Sequence, residues 1–226
     1  MKPARWPCPL GHGETAGEMA LSFDQHRRWR LLIVPALFEE ANRLRRFNVE
    51  VMRRLDNAGV DSFLPDLPGC NESLQPLESQ TPMGWRTAMA AAAKHFRASH
   101  VLTIRAGALL VPDGLPGWRY APLGGASALR QLLRARIVAS REAGTAETQE
   151  TLLAAGLDNG LELAGYRLSA DFIGQLQSRG AIDAPEFWDI DQDMLGGSGL
   201  WLRAEAGEDR AQADALAAIL AIGIKQ

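Results

Sequence analysis

The chain has 226 residues, 46% of them hydrophobic, and a formal net charge of -3, a length and apolar content that suit one compact domain with a good core. A net negative charge with no basic stripe, and six tryptophans dispersed rather than interleaved with lysines, argue against nucleic acid as a partner. Leu216 to Ile224 falls far short of the roughly 20 apolar residues of a spanning helix, and Met1 to Ala20 lacks a signal-type apolar core, so no membrane span and a cytoplasmic location are expected.

In chain order, residues 1 to 29 carry Pro, Gly and acidic residues and are expected to form an arm or an edge strand. Arg30-Leu-Leu-Ile-Val-Pro-Ala-Leu37 is too short for a stable helix and rich in branched residues, which predicts a buried strand over 30 to 36. Leu44, Phe47, Val51, Leu55 and Ala58 recur at spacings of three and four, a single helical face that Asn57-Ala58-Gly59 then stops. A second strand is expected over 61 to 66, followed by the loop Asp66 to Ser73. Residues 81 to 96, rich in good helix formers, predict the crossover into a third strand over 100 to 105. Such an alternation means a mostly parallel sheet with right-handed crossovers. Residues 124 to 183 are expected to form a helical, lid-like insertion. Within it Leu129, Leu132, Leu133, Ile137 and Val138 make an apolar stripe that fits packing on the sheet better than lining a ligand mouth. The run Gly199 to Ala204 is expected to be the last strand.

The third strand ends in the most informative segment, Thr103-Ile104-Arg105-Ala106-Gly107. Its small residues resemble the G-x-S-x-G nucleophile elbow of α/β-hydrolases, a strained strand-to-helix turn that presents a serine. Here Arg105 holds the serine's place. A guanidinium is permanently protonated and donates without accepting, so it cannot attack a carbonyl, but it can grip a carboxylate or phosphate. The fold class expected is therefore α/β, an α/β-hydrolase-like three-layer sandwich over residues 1 to 226.

Four further segments sharpen the resemblance. Pro35-Ala-Leu-Phe-Glu-Glu-Ala-Asn-Arg-Leu-Arg-Arg46 resembles the P-x-x-x-E-E-x-N-x-x-R-R signature of the exosortase A system-associated hydrolases, second type, of Gram-negative bacteria. Asp66 to Ser73 is similar to their D-L-x-G-C-G-x-S loop, with Asn71 in place of the second glycine. Thr103 to Leu110 resembles their elbow, which already carries arginine, although Thr103 departs from its leading glycine. Pro122 to Arg136 and Glu162 to Ser169 resemble two later blocks, so the likeness covers roughly residues 30 to 170. It implies an α/β-hydrolase-like protein of an exosortase or exopolysaccharide system.

Hydrolases place Ser, then Asp or Glu, then His along the chain. All four histidines here, His12, His26, His95 and His100, precede or abut the elbow strand, and acids Glu205, Glu208 and Asp209 follow the expected last strand. Metal binding is not expected. Asp189, Asp191 and Asp193 imitate the start of a calcium loop, but Met194 and Leu200 stand where its glycine and bidentate glutamate belong. Cys8, His12 and Cys70 lack a fourth ligand for zinc. Cys70 lies in a loop near the sheet edge and is a candidate binding residue, more simply explained as a structural thiol than as a nucleophile.

A guanidinium at the tip of a buried strand needs a carboxylate, which makes Glu39 or Glu40 the expected partner of Arg105. Asn42, Arg45 and Arg46 lie within about two turns of the same helix, with Asn42 and one arginine expected to complete the cluster. The candidate site is thus Arg105, Glu39, Glu40, Asn42, Arg46 and Cys70, with no cofactor. Three roles fit it: a binding or accessory protein without Ser-His-Asp catalysis; an unconventional hydrolase or transferase that clamps a small anionic ligand with Arg105 and uses Glu39 or Glu40 as acid or base; or a protein partner, a homodimer included, whose acidic tail from residue 181, with nine acids against three basic groups, faces a basic surface.

Overall fold

A computed structural model describes residues 1–11, 13–180 and 186–226. Its centre is a seven-stranded sheet in the order β1-β2-β4-β3-β5-β6-β9. The strands are β1 (Lys2–Gly11), β2 (Glu14–Phe23), β3 (Arg30–Val34), β4 (Asp61–Pro65), β5 (His100–Ile104), β6 (Gly117–Tyr120) and β9 (Phe187–Ile190). β1 and β2 form an antiparallel hairpin and β2 runs antiparallel to β4, whereas β4, β3, β5, β6 and β9 are parallel. The three inner strands expected from the sequence are present, and both neighbours of β5 are parallel to it.

Alternation along each strand sends side chains to two faces. Leu31, Ile33, Leu102 and Ile104 pack against α1 (Phe38–Asn57) and α7 (Arg210–Gly223) through Leu44, Phe47, Val51, Leu55, Leu216 and Leu220. Leu32, Val34 and Val101 point the other way, towards α2 (Pro82–His95) and the helices of the segment between β6 and β9. Thr81 caps α2, accepting from the Gly84 N–H at 2.9 Å, and Pro82 sits in the first turn, where its missing N–H costs nothing. The β6–β9 segment comprises α3 (Gly125–Glu142), α4 (Gln149–Asn159), the hairpin β7 (Leu161–Leu163) and β8 (Tyr166–Leu168), and α5 (Ala170–Ser178). Leu129, Leu132 and Leu133 of α3 are buried in the core, while Val138 is exposed. The stripe thus packs inward over its first two turns and runs out at its end. The segment's last residues, like His12, lie outside those described.

One sequence expectation needs correction. The last strand is not 199 to 204: that stretch holds a single 3-10 turn, Leu200–Leu202, and the sheet closes on β9, followed by the short helix α6 (Gln192–Leu195). Leu-Trp-Leu buries Leu200 but leaves Leu202 exposed, whereas Phe187 and Ile190 are both covered. The acids Glu205, Glu208 and Asp209 therefore follow no strand. Of the two forms expected for residues 1 to 29, the edge strand is the one present, as β1, with β2 next to it in the sheet. No helix among the described residues is long and apolar enough to cross a membrane.

The chain moves from β3 outward to β4, then back across to β5 on β3's other side, so β3 and β5 flank the point where strand order reverses. Loops leaving their carboxyl ends diverge there and open the crevice in which such sheets place a site. The approach is close: a Cβ on Gly107 would lie 2.3 Å from the Pro35 carbonyl oxygen. Gly107→Ala should thus force the two loops apart and cost about 2–3 kcal/mol of stability, read as a lower denaturant midpoint at unchanged slope.

Candidate functional site

β5 delivers Arg105 at its carboxyl end with φ of 53°, a left-handed conformation that is strained for a long side chain, and the 3-10 turn Arg105–Leu110 starts there. This is an elbow: strand, strained residue, turn, with Gly107 pressed against the β3 loop. Across the crevice Phe38, first residue of α1, also has positive φ, at 55°. The β3–α1 turn swings Glu40 towards β5, and the arginine meets it.

Arg105 is 8% exposed. Its Nε donates to Glu40 Oε2 and its Nη2 to Glu40 Oε1, each at 3.1 Å, a bidentate pair. Nη1 donates to the Ala121 carbonyl at 3.0 Å, just beyond β6. Over the guanidinium, 4.2 Å from it, lies the indole of Trp201. One cation thereby joins four separate segments.

Of the two glutamates the sequence offered, Glu40 is the partner. Glu39 points outward, half-exposed, with Arg43 Nε at 3.6 Å. The remaining residues of the predicted cluster disperse. Arg46 reaches Glu208 at 3.2 Å, and Arg45 reaches the buried Asp66 at 2.8 Å, so neither neutralises the second glutamate. Asn42, with Tyr166 and Cys70, lines a small cavity of about 130 Å³ on the other side of Phe38. Burial, reinforced by Asp66 and Glu18, pushes the Cys70 thiol up to about 12. It stays protonated at neutral pH, as a structural thiol should.

A larger cavity, about 530 Å³, opens above the elbow. Leu37, Phe38, Ala106, Leu123, Leu132 and Leu202 give it apolar walls, and Glu39, Glu40, Arg43 and Gln131 supply its polar groups. Sequence reasoning missed Arg43 and Trp201. Arg43 stands three and four residues after the two glutamates, a spacing that was readable; its Nη1 donates to the Trp201 carbonyl at 3.0 Å and so holds the indole in place. Trp201 comes nearly a hundred residues after Arg105, and only tertiary structure brings it there.

The described histidines sit at the opposite pole. His100 starts β5, five residues from Arg105, which along a strand is about 16 Å. Its ring stacks on Trp118 at 5.7 Å, and burial lowers its pKa. His26 and His95 flank a cleft with Arg27, Arg30 and Arg97 at that same amino end. Asp189 pairs with Arg119 at 2.6 Å, and the described residues contain no cluster of His, Cys, Asp or Glu suited to a metal ion. Of Cys8, His12 and Cys70, the histidine lies outside the described residues.

With this geometry in view, comparison with known proteins fixes the fold. No family model matches the chain, and no curated protein matches it in sequence. Among solved structures, alpha/beta hydrolase domain-containing protein 10 from mouse superposes with a TM-score of 0.59 at 12% identity, covering 100% of this chain and 99% of that one. The protein has the α/β-hydrolase fold. Lesser overlap is found with Est1E from Butyrivibrio proteoclasticus, with a TM-score of 0.49, 15% identity and coverage of 79% and 70%. A candidate hydrolase from Agrobacterium vitis S4 gives 0.44 and 16%, and of its length this chain spans 60%.

Two outcomes test the site. Glu40→Gln should cost about 3 kcal/mol by leaving a buried guanidinium without its counter-charge, and Glu39→Gln less than about 0.5 kcal/mol; a Glu40–Arg105 double-mutant cycle should show coupling above about 1 kcal/mol in chemical denaturation. Iodoacetamide at pH 8 should leave Cys70 essentially unmodified in the folded protein and label it on unfolding, as mass spectrometry would record.

Proposed function

We propose that this chain is a hydrolase-fold protein that binds rather than cleaves, serving as an accessory protein in an exosortase-associated exopolysaccharide system. The observation that carries the loss of chemistry is the elbow itself. The residue in the nucleophile's strained position is a permanently charged donor, held bidentately by Glu40 and covered by Trp201. A serine at this place would find no histidine base among the described residues, whose histidines lie at the other end of the sheet, and nucleophilic attack by serine requires a base. The assignment to an exosortase system rests on the resemblance of residues 35 to 46, 66 to 73, 103 to 110, 122 to 136 and 162 to 169 to that family. On this reading residues 124 to 183 act as the lid of the cavity above the elbow, in a single-domain cytoplasmic protein.

The second reading, an unconventional hydrolase or transferase on a carboxylate- or phosphate-bearing substrate, needs Arg105 as anion clamp and Glu39 or Glu40 as acid or base. The same geometry disfavours it: Arg105 already spends its fork on Glu40, and an incoming anion would have to displace a carboxylate covalently fixed within reach. Turnover of short p-nitrophenyl esters should therefore not exceed the buffer rate, and Arg105→Ser should not create it. Hydrolysis by either protein that a serine-directed phosphonate abolishes would overturn the proposal. Deleting the gene in a host with an exosortase system should reduce secreted polysaccharide, measured by sugar analysis; an unchanged yield would remove the accessory role.

A further inference from the structure

Among the described residues, Phe38 alone lines both cavities, the 530 Å³ chamber above the elbow and the 130 Å³ chamber of Asn42, Cys70, Asn71 and Tyr166. It is 6% exposed and held in an aromatic cluster, its ring centroid 5.0 Å from that of Tyr166, 5.9 Å from Phe172 and 6.0 Å from Trp85. A positive φ at a bulky aromatic is costly and persists only where surrounding structure enforces it. The strain sets this ring as a wall between the large chamber and the small one, whose lining includes Pro35, Ala36, Ala41 and Leu67.

The charges around the large chamber cancel in pairs. Glu40 is matched by Arg105, and Glu39 faces Arg43. A ligand charge of either sign would be desolvated without an unpaired counter-charge to meet it, while an uncharged head escapes that penalty and finds hydrogen-bonding partners in Gln131, Arg43 and Glu39. The apolar walls suit a hydrocarbon body.

Resting on the reading of the elbow cavity as a binding site, we propose that it takes an uncharged amphiphile, an alkyl or aryl body with a hydroxyl, ester or amide head, and that Phe38 sets the longest body admitted by closing the passage to the second chamber. Each methylene that fits contributes to affinity, and the first that strikes the ring does not, so affinity should climb with chain length and then break.

The test is displacement of the neutral fluorophore N-phenyl-naphthylamine from the full chain by n-alkanols of increasing length, alongside decanoate and decylamine. Affinity should rise along the alkanols to a sharp limit, with both charged chains at least about tenfold weaker than decanol. Phe38→Ala should move the limit outward by about two or more carbons and Phe38→Leu by less, since each opens the wall by the volume it removes. Should Phe38→Ala fail to fold, as judged by circular dichroism, Phe38→Leu decides alone. No displacement by any alkanol, equal competition by decanoate or decylamine, or an unmoved limit in the folded variant would each overturn the inference. Failure here leaves the absence of ester turnover untouched, and turnover in the ester assay would leave the length limit standing.

Discussion

The pairing of Arg105 with Glu40 is the interaction on which the upper edge of the sheet depends. Burying a guanidinium costs several kcal/mol unless its charge and its N–H groups are answered, and here two loops and a distant turn supply the answers. Glu40 comes from the start of α1, the Ala121 carbonyl from beyond β6, and the Trp201 indole from the turn after α6. None of these segments is adjacent in sequence. Remove the cation and α1 keeps its link to the Trp201 turn through Arg43, but both lose what ties them to the end of β5 and to the Ala121 loop.

The other pole of the sheet uses the same physics with signs exchanged. Asp61, fully buried at the start of β4, accepts from the Gln25 and Arg27 backbone N–H groups and from the Arg27 and Arg30 guanidinium groups at 2.8–3.2 Å. Arg30 in turn holds Asp24, whose carboxyl it keeps far below the usual range. An anion therefore organises the amino ends of the strands and a cation the carboxyl ends. Between them the inner strands bury aliphatic and aromatic side chains, and the described histidines lie at the amino end.

The inner strands were legible because they are short, branched and flanked by helices of clear periodicity; burial on both faces is what a continuous run such as Leu31 to Val34 requires. β1 was harder to read because of Pro3, Pro7 and Pro9. All three occupy the same parity of an edge strand, the arrangement in which missing N–H groups need not interrupt a ladder. The last strand was misplaced for a related reason: Phe187-Trp-Asp-Ile190 is half polar, and its acids suggested a metal loop, while Leu200-Trp-Leu202 has strand-like residues and no neighbour to pair with. Within the site, the turn into α1 selects Glu40, and a glutamate partner for Arg105 at position 39 or 40 followed from charge alone. Trp201 did not, because no local pattern encodes a stacking contact across that distance, and Arg45 and Arg46 found acids on other elements that the helix spacing could not reveal.

The bidentate pair also has an evolutionary consequence. Any substitution at position 105 that removes the guanidinium leaves Glu40 without its counter-charge and uncovers the indole of Trp201. Any substitution at position 40 that removes the carboxylate leaves a buried guanidinium unanswered in its turn. Each change alone weakens the fold, so neither end of the pair can drift by itself. The salt bridge thus works as a ratchet: it fixes the floor of the cavity while the walls above it stay open to change.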